Sequence, residues 1–247
     1  MYPQEVRDQA LALLGGHATL SEASRMLGVA RSTLRSWQAE PVAPATTCFR
    51  CSDDARADPS AYAALLGFYL GDGCLSTHHG KAVLRVSCDA ALPALVDDVA
   101  HLVARIVPGR TVFRVRAPGV IVVQAGWKHW LCLFPQHGPG RKHERTIALE
   151  EWQEAIVATH PGDFLRGLFH SDGSRTNNWA RREVAGVLRR YDYPRWEFSN
   201  RSEDIHALCQ HALDLAGVPW RRPSAKVTAV STRAGVARLD ALIGPKR

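Results

Sequence analysis

The 247-residue chain contains no stretch of about 18 uncharged apolar residues, so no membrane span is expected. The opening residues Met1-Tyr2-Pro3-Gln4-Glu5 lack the basic region and apolar core of a secretion signal, which predicts a cytoplasmic, nucleoid-associated protein. Cysteine is sparse and scattered. Of the six, at 48, 51, 74, 88, 132 and 209, only Cys48 and Cys51 are close in sequence, which excludes a disulfide framework. Cys48-Phe49-Arg50-Cys51 is half of a zinc site, and no second CxxC completes it, so zinc is not expected there. Lysine is scarce as well: 26 of the 31 basic residues are arginine and 5 are lysine, the bias of a GC-rich, bacterial genome.

The net charge of +7 is unevenly placed. Residues 1–60 carry 6 basic and 7 acidic groups, residues 61–160 carry 10 and 8, and residues 161–247 carry 15 and 9. A basic C-terminal third suggests a polyanion as partner, nucleic acid first.

Residues 1–40 read as three short helices. Val6, Ala10, Leu13 and Leu14 make one apolar stripe, and Gly15-Gly16 ends it. A second helix is expected to begin at Ser21, and Gly28-Val29 makes a tight turn into a third helix with Leu34 and Trp37 facing inward. Ala23 is the small residue needed where two helices cross, and Val29 plugs the turn. This segment resembles the helix-turn-helix modules of transposases and resolvases, which implies that Arg31, Ser32, Thr33 and Arg35 face a DNA groove. Residues 41–60, rich in Ala, Pro, Thr and Asp, read as a linker.

The chain repeats itself after that linker. Residues 65–73 read LLGFYLGDG and residues 165–173 read LRGLFHSDG; aligned without gaps, both have leucine first, glycine third and Asp-Gly last. Glycine inside a helix costs roughly 1 kcal/mol relative to alanine, so its appearance twice at one offset needs a reason. Gly67 and Gly71 share a helix face, as do Gly167 and Ser171, and a stripe of small residues lets two backbones approach closely. The two motif helices are therefore expected to pack side by side, with Asp72 and Asp172 emerging together and Gly73 and Gly173 in a left-handed cap. Two carboxylates forced together call for a cation between them, and a hard divalent ion suits such ligands.

The pattern downstream of each motif is duplicated too. Lys81, Val83, Arg85 and Ser87 alternate with Ala82, Leu84, Val86 and Cys88, then come an amphipathic helix from Leu92 to Ile106 and strands at 111–116 and 120–124. In the second half Trp196 and Phe198 alternate with Arg195, Glu197 and Ser199. A helix at 205–216, strands near 220–222 and 226–230, and a last helix to about Ile243 come after them.

The two motifs, their spacing and this element order resemble the LAGLIDADG homing endonucleases over residues 61–247. The resemblance implies an α+β fold of two pseudo-twofold-related αββαββα halves with saddle-shaped antiparallel sheets, in addition to the small all-α module. The halves would be 61–135 and 161–247, joined by a connection at 136–160. It also implies that the saddles lie on double-stranded DNA, and that Asp72 and Asp172, with the carbonyls of Gly71 and Ser171, hold Mg2+ or Mn2+, with Ca2+ binding but not supporting cleavage. Arg85, Arg114, Arg116, Arg195 and Lys226 would sit on exposed strand faces toward the DNA, and Arg181 and Arg182 on an extended hairpin tip. The sequence departs from the family in having Leu70 and His170 at the acidic sixth motif position. The segment 126–160, with His129, Cys132, His137 and His143, is longer than a tether needs; a zinc cluster and a wrapping loop that crosses DNA or packs on the core are both open there.

Two motifs in one chain let a monomer cut both strands, so a metal-dependent DNA endonuclease is the leading expectation. Residue 1 is Met and no Asn closes the chain, so an intein context is not expected. A DNA-binding transcription regulator on the same scaffold, without cleavage, is the alternative, and an RNA-splicing maturase is a third reading.

Overall fold

A computed structural model describes residues 4–16, 18–39, 58–78 and 81–246. The chain divides into two units, Met1–Thr46 and Thr47–Arg247. The Cys48–Cys51 pair and nearly all of the expected linker lie outside the described residues.

The first unit holds α1 (Gln4–Gly15), α2 (Leu20–Leu27) and α3 (Arg31–Ala39). Its core is Ala10, Ala23, Val29 and Leu34, with Val6, Leu14, Leu20, Leu27 and Trp37 packed against it. The second helix starts before the expected Ser21. Thr19 caps it: its hydroxyl accepts the Glu22 amide, and the Glu22 carboxylate accepts the Thr19 amide at 2.7 Å, a reciprocal capping box. Gly28 ends α2 at φ 64°, a left-handed position that glycine adopts without Cβ strain.

Among the described residues of the second unit, α4 (Pro59–Leu70) comes first; it starts inside the expected linker because Asp58 caps it onto the Ala61 amide and Pro59 suits the first turn. Then come β1 (Gly73–His78), β2 (Lys81–Asp89), α5 (Pro93–Ile106), β3 (Phe113–Ala117), β4 (Val120–Gly126) and the short α6 (Trp130–Leu133). Helix α7 (Glu151–Thr159) leads into α8 (Pro161–Asp172). After it come β5 (Gly173–Val184), β6 (Val187–Ser199), α9 (Glu203–Leu215), β7 (Arg221–Ser224), β8 (Val227–Val230) and α10 (Arg233–Ile243). Each half forms one four-stranded antiparallel sheet, in the orders β1-β2-β4-β3 and β5-β6-β8-β7. The same order twice is the duplicated architecture that the repeated motifs predict.

Period-two alternation decides which sheet face is buried. Leu84, Val86 and Cys88 of β2, Val123 and Ala125 of β4, Trp196 and Phe198 of β6, and Val230 of β8 turn toward the helices. Arg85, Ser87, Gln124, Arg195 and Glu197 turn to the open face. Between the halves, Trp130, Leu133, Phe134, Ile147, Ile156 and Val157 join the core, so the segment expected to wrap does pack on it. A buried chain of hydrogen bonds fastens it: Tyr62 Oη donates to the Leu133 carbonyl, Gln153 Nε2 donates to Tyr62 Oη at 2.7 Å, and Gln136 Nε2 donates to Gln153 Oε1. Each of these polar groups would be costly to bury unpaired.

The motif helices α4 and α8 cross at their glycines. A Cβ added at Gly67 would lie 2.9 Å from Gly167 Cα and closer still to the Phe164 carbonyl oxygen; one added at Gly167 would lie 2.8 Å from Gly67 Cα. Gly73 and Gly173 are not left-handed caps, contrary to expectation: neither is among the positive-φ glycines, and Gly173 has φ −96°. They are small because a Cβ there would strike the Tyr69 and Phe169 backbones one turn earlier.

Gly67→Ala should therefore destabilise the protein, by about 2 kcal/mol or more, although alanine's helix propensity alone would stabilise by about 1 kcal/mol. Denaturant unfolding reads the sign directly, and a stabilised variant would contradict the close crossing. Because the two units have separate cores, deletion of residues 1–46 should leave the main thermal transition of the remainder within a few degrees; loss of that transition in differential scanning would refute independent folding.

Candidate active site at the motif helix ends

The glycine crossing brings the C-termini of α4 and α8 together. A helix end leaves carbonyls without intrahelical partners and carries partial negative charge, and here two ends also carry two aspartates. Burial pushes the Asp72 carboxyl above its ordinary range, with Lys246 and Lys142 opposing. Asp172 is pushed up to about 6, by burial first and then by the Asp72 charge, against the Asn200 hydrogen bond and the two lysines. Asn200 Nδ2 donates to Asp172 Oδ2 at 2.6 Å.

The cations that answer this charge are two residues that the motif pattern does not single out. Lys142 Nζ donates to the carbonyls of Leu70 at 2.9 Å and Gly71 at 2.6 Å, and also to that of Tyr69. Lys246 Nζ donates to the carbonyls of Ser171 at 3.0 Å and Gly173 at 2.9 Å. Burial lowers Lys142 to about 8 against the pull of Asp172 and Asp72, and lowers Lys246 in the same way. Each lysine closes a chain segment that returns to the motif helix of its own half. Lys142 sits in a 3-10 turn, Lys142–Glu144, braced by Arg145, which donates to the Gln136 and Gly140 carbonyls. Lys246 lies beyond α10, where His170 Nε2 meets the Gly244 carbonyl at 3.3 Å. The sequence carries a signal for both: two of only five lysines in an arginine-rich chain lie here, where a compact ammonium fits converging carbonyls better than a planar guanidinium.

Two cavities flank the helix ends, each built from both halves. One, of about 310 Å³, is lined by Gly71 of the first half and Lys142 of the connection with Asp172, Ser199, Asn200 and Arg201 of the second half. The other, of about 210 Å³, is lined by Ser171 and Lys246 of the second half with Asp72, Ser87, Cys88 and Asp89 of the first. Strand register makes them equivalent: Gly73 pairs with Val86 and Gly173 with Phe198, so Ser199, Asn200 and Arg201 correspond to Ser87, Cys88 and Asp89. Among the described residues no cluster of three or more His, Cys, Asp or Glu could hold a metal, which includes the His129, Cys132, His137 and His143 set. The oxygen donors present, two carboxylates and the carbonyls of Gly71 and Ser171, are hard ligands that suit magnesium or manganese.

The arginines expected on the open sheet faces divide. Arg85, paired with Cys74 and Gln124, is on the open face, and so is Arg195, half-buried beside Glu197 at 2.6 Å. Arg114 and Arg116 are not. They lie opposite Val123 and Ile121, on the helix side of edge strand β3, and Arg114 pairs with Asp97 of α5 at 2.7 Å. The open face of β3 instead carries the exposed Phe113 and Val115, because an edge strand beyond the core buries neither side. Lys226 falls in the turn between β7 and β8, not on a strand. Arg221, which strand alternation alone does not point to, shares the open face with Ala229, the neighbour of Glu197.

The β5–β6 hairpin extends to a turn at Ala185-Gly186. Arg181 pairs across it with Arg190, and Arg182 with Arg189, on opposite faces. The Arg181 and Arg190 guanidiniums both lie against the Trp179 ring, at 5.5 and 5.3 Å from its centroid, and Arg190 also pairs with Asp192 at 2.7 Å. Like charges facing across strands disfavour the hairpin, and the Arg190–Asp192 ion pair offsets part of that repulsion. In the first unit, Arg31, Ser32 and Arg35 are exposed on α3 and Thr33 is half-buried.

The two-half fold is similar to the LAGLIDADG fold. Solved structures of the homing endonuclease I-DmoI share it. Its mesophilic variants align over 76% of this chain and 97% of theirs at 12% identity and a TM-score of 0.50. A variant in complex with its target DNA and magnesium aligns over the same shares at 11% identity and a TM-score of 0.51. The N-terminal LAGLIDADG domain of WhiA aligns over 76% of this chain and 83% of its own at 16% identity and a TM-score of 0.47. No family model and no curated protein matches the sequence.

An aspartate held near 6 destabilises the folded state wherever it is ionised. Against its ordinary value of 3.8, that penalty is complete above about pH 6 and vanishes below about pH 4. In metal-free buffer, Asp172→Asn should raise the melting temperature by a few degrees at pH 7.5, with the gain shrinking toward pH 4. An equal gain at both pH values, or a loss at pH 7.5, would show that the carboxylate is not strained.

Proposed function

We propose that this chain is a site-specific, divalent-metal-dependent DNA endonuclease that hydrolyses one phosphodiester bond in each strand of a duplex. The observation that carries this reading is the pair of equivalent cavities, each joining the aspartate of one motif helix to the lysine-capped carbonyl end of the other. Duplex DNA has two antiparallel strands related by a twofold axis, and a paired site in one chain presents one cavity to each, so the protein would act as a monomer.

Asp72 and Asp172, with Gly71 and Ser171 main-chain oxygens, would hold Mg2+ or Mn2+; Ca2+ would support binding without cleavage. The ion would polarise the phosphate and lower the pKa of a bound water. Asn200 orients the Asp172 carboxylate. Lys142 and Lys246 add positive charge beside the reacting phosphates. Arg85, Arg195, Arg221 and, from the long hairpin, Arg181, Arg182, Arg189 and Arg190 would bind the phosphate backbone and base edges, with Arg114, Arg116 and Lys226 reaching phosphates from the sheet rim. The three-helix unit would read a flanking site as a helix-turn-helix, through Arg31, Ser32, Thr33 and Arg35 of α3.

One observation favours a second reading, a DNA-binding regulator that never cuts: the Gly71 and Ser171 oxygens already accept lysine ammonium groups. The deciding experiment selects a binding site from a random duplex library and incubates it with magnesium. Cleavage of both strands is expected, lost by orders of magnitude in Asp72→Asn and in Asp172→Asn, with gel-shift affinity in calcium retained. Tight binding without cutting in magnesium or manganese would pass the protein to the regulator reading. Equal cutting by both variants would remove the two aspartates from the site.

A further inference from the structure

The helix-end carbonyls pose a problem for any divalent ion. Lysine has three donor hydrogens, and Lys142 spends all three on Tyr69, Leu70 and Gly71. Lys246 spends two on Ser171 and Gly173. An ion bound to the Gly71 or Ser171 oxygen at roughly 2.1 Å would face an ammonium already seated on that oxygen, two cations at one acceptor.

A helix-capping role alone does not account for this. Capping cations usually come from the last turn of the same helix. Here each arrives from a separate segment, 71 residues beyond Gly71 and 75 beyond Ser171. The offset of 100 residues between the motifs would carry position 142 to 242, which is leucine. The two halves therefore reach the same arrangement by different chain routes, a turn in the connection and a tail after α10. Both ammonium groups also border cavities that open to solvent.

We propose that Lys142 and Lys246 are placeholder cations: in the DNA-free protein they occupy the main-chain oxygens meant for the divalent ion, and bound DNA draws them onto phosphate and opens those oxygens. This inference rests on the metal-site reading above. The flexible four-carbon stem of lysine permits the shift, and phosphate is the stronger acceptor for an ammonium. With few carboxylates at each cavity, a divalent ion also gains ligands when phosphates arrive, so metal and DNA would bind cooperatively.

The test is Mn2+ titration of the DNA-free protein, monitored by electron paramagnetic resonance. The unmodified chain should bind weakly, and Lys142→Met/Lys246→Met should bind roughly tenfold tighter or more, since the carboxylate charge is no longer balanced. A purely structural role predicts lower stability and no gain in metal binding. Circular dichroism monitors folding; should the double variant unfold, Lys246→Met alone, altered in a tail outside the helices, should still gain affinity at one site. Equal Mn2+ affinity in the unmodified protein and a folded variant would overturn the inference. Cleavage does not enter the measurement, so a chain that never cuts DNA can pass it and a working nuclease can fail it.

Discussion

At Gly67 and Gly167 two helix backbones touch, and most of the chemistry of this molecule descends from that contact. Side chains normally keep helix axes about 8–10 Å apart; without them the axes close in, and the two C-termini, with their unpaired carbonyls, meet. Asp72 and Asp172 follow at once in sequence, so the same contact gathers two carboxylates, Asp72 exposed and Asp172 half-buried, at one end of the helix pair. Negative charge concentrated by packing has to be answered. In this chain lysines answer it: the carbonyls hold them by hydrogen bonds, and the carboxylate charges act on them through space. The helix crossing, the raised aspartates and the returning lysines are thus one linked device and not three independent features.

The features legible in the sequence are those the repeat carries. The two nonapeptides encode the crossing, the paired aspartates and the order of strands and helices, because close packing and period-two alternation act between residues at fixed offsets. The features hidden from it lie outside the repeat or at its edges. Lys142 and Lys246 reach the site through tertiary folding over more than 70 residues, and no local pattern encodes that path. Alternation misplaces Arg114 and Arg116 because β3 is an edge strand, where Phe113 and Val115 point outward against the usual rule. The Thr19 cap is a different case, since its Thr-x-x-Glu pattern is legible and sets the start of α2 before Ser21. Gly73 and Gly173 show an ambiguity of glycine itself, which answers both a positive φ and a close approach, and sequence cannot separate them.

The two cavities, equivalent in architecture, differ in charge. Where the second half supplies Asn200 and Arg201, the first supplies Cys88 and Asp89. Asn200 gives Asp172 a hydrogen-bond donor; Cys88 gives Asp72 none, its thiol being directed at the Val86 carbonyl. Arginine against aspartate reverses the charge at the next position. One cavity therefore combines a single carboxylate with Lys142 and Arg201, the other two carboxylates with Lys246.

A symmetric pair of sites suits a palindromic duplex, and a fused chain is free to abandon that symmetry. The open sheet faces have done so as well: the second half carries Arg195, Arg221 and the arginine-rich hairpin, and the first carries Lys81 and Arg85, with Asp89 on the same face. On the endonuclease reading, the two strands would meet cavities of different electrostatic character. The cavity with two carboxylates would depend more on a divalent ion, and the one with Arg201 more on its own cations. The same excess of arginine that would anchor the second half to phosphate would then lie on the side whose chemistry leans least on metal, so that binding asymmetry and site asymmetry would reinforce each other along one chain.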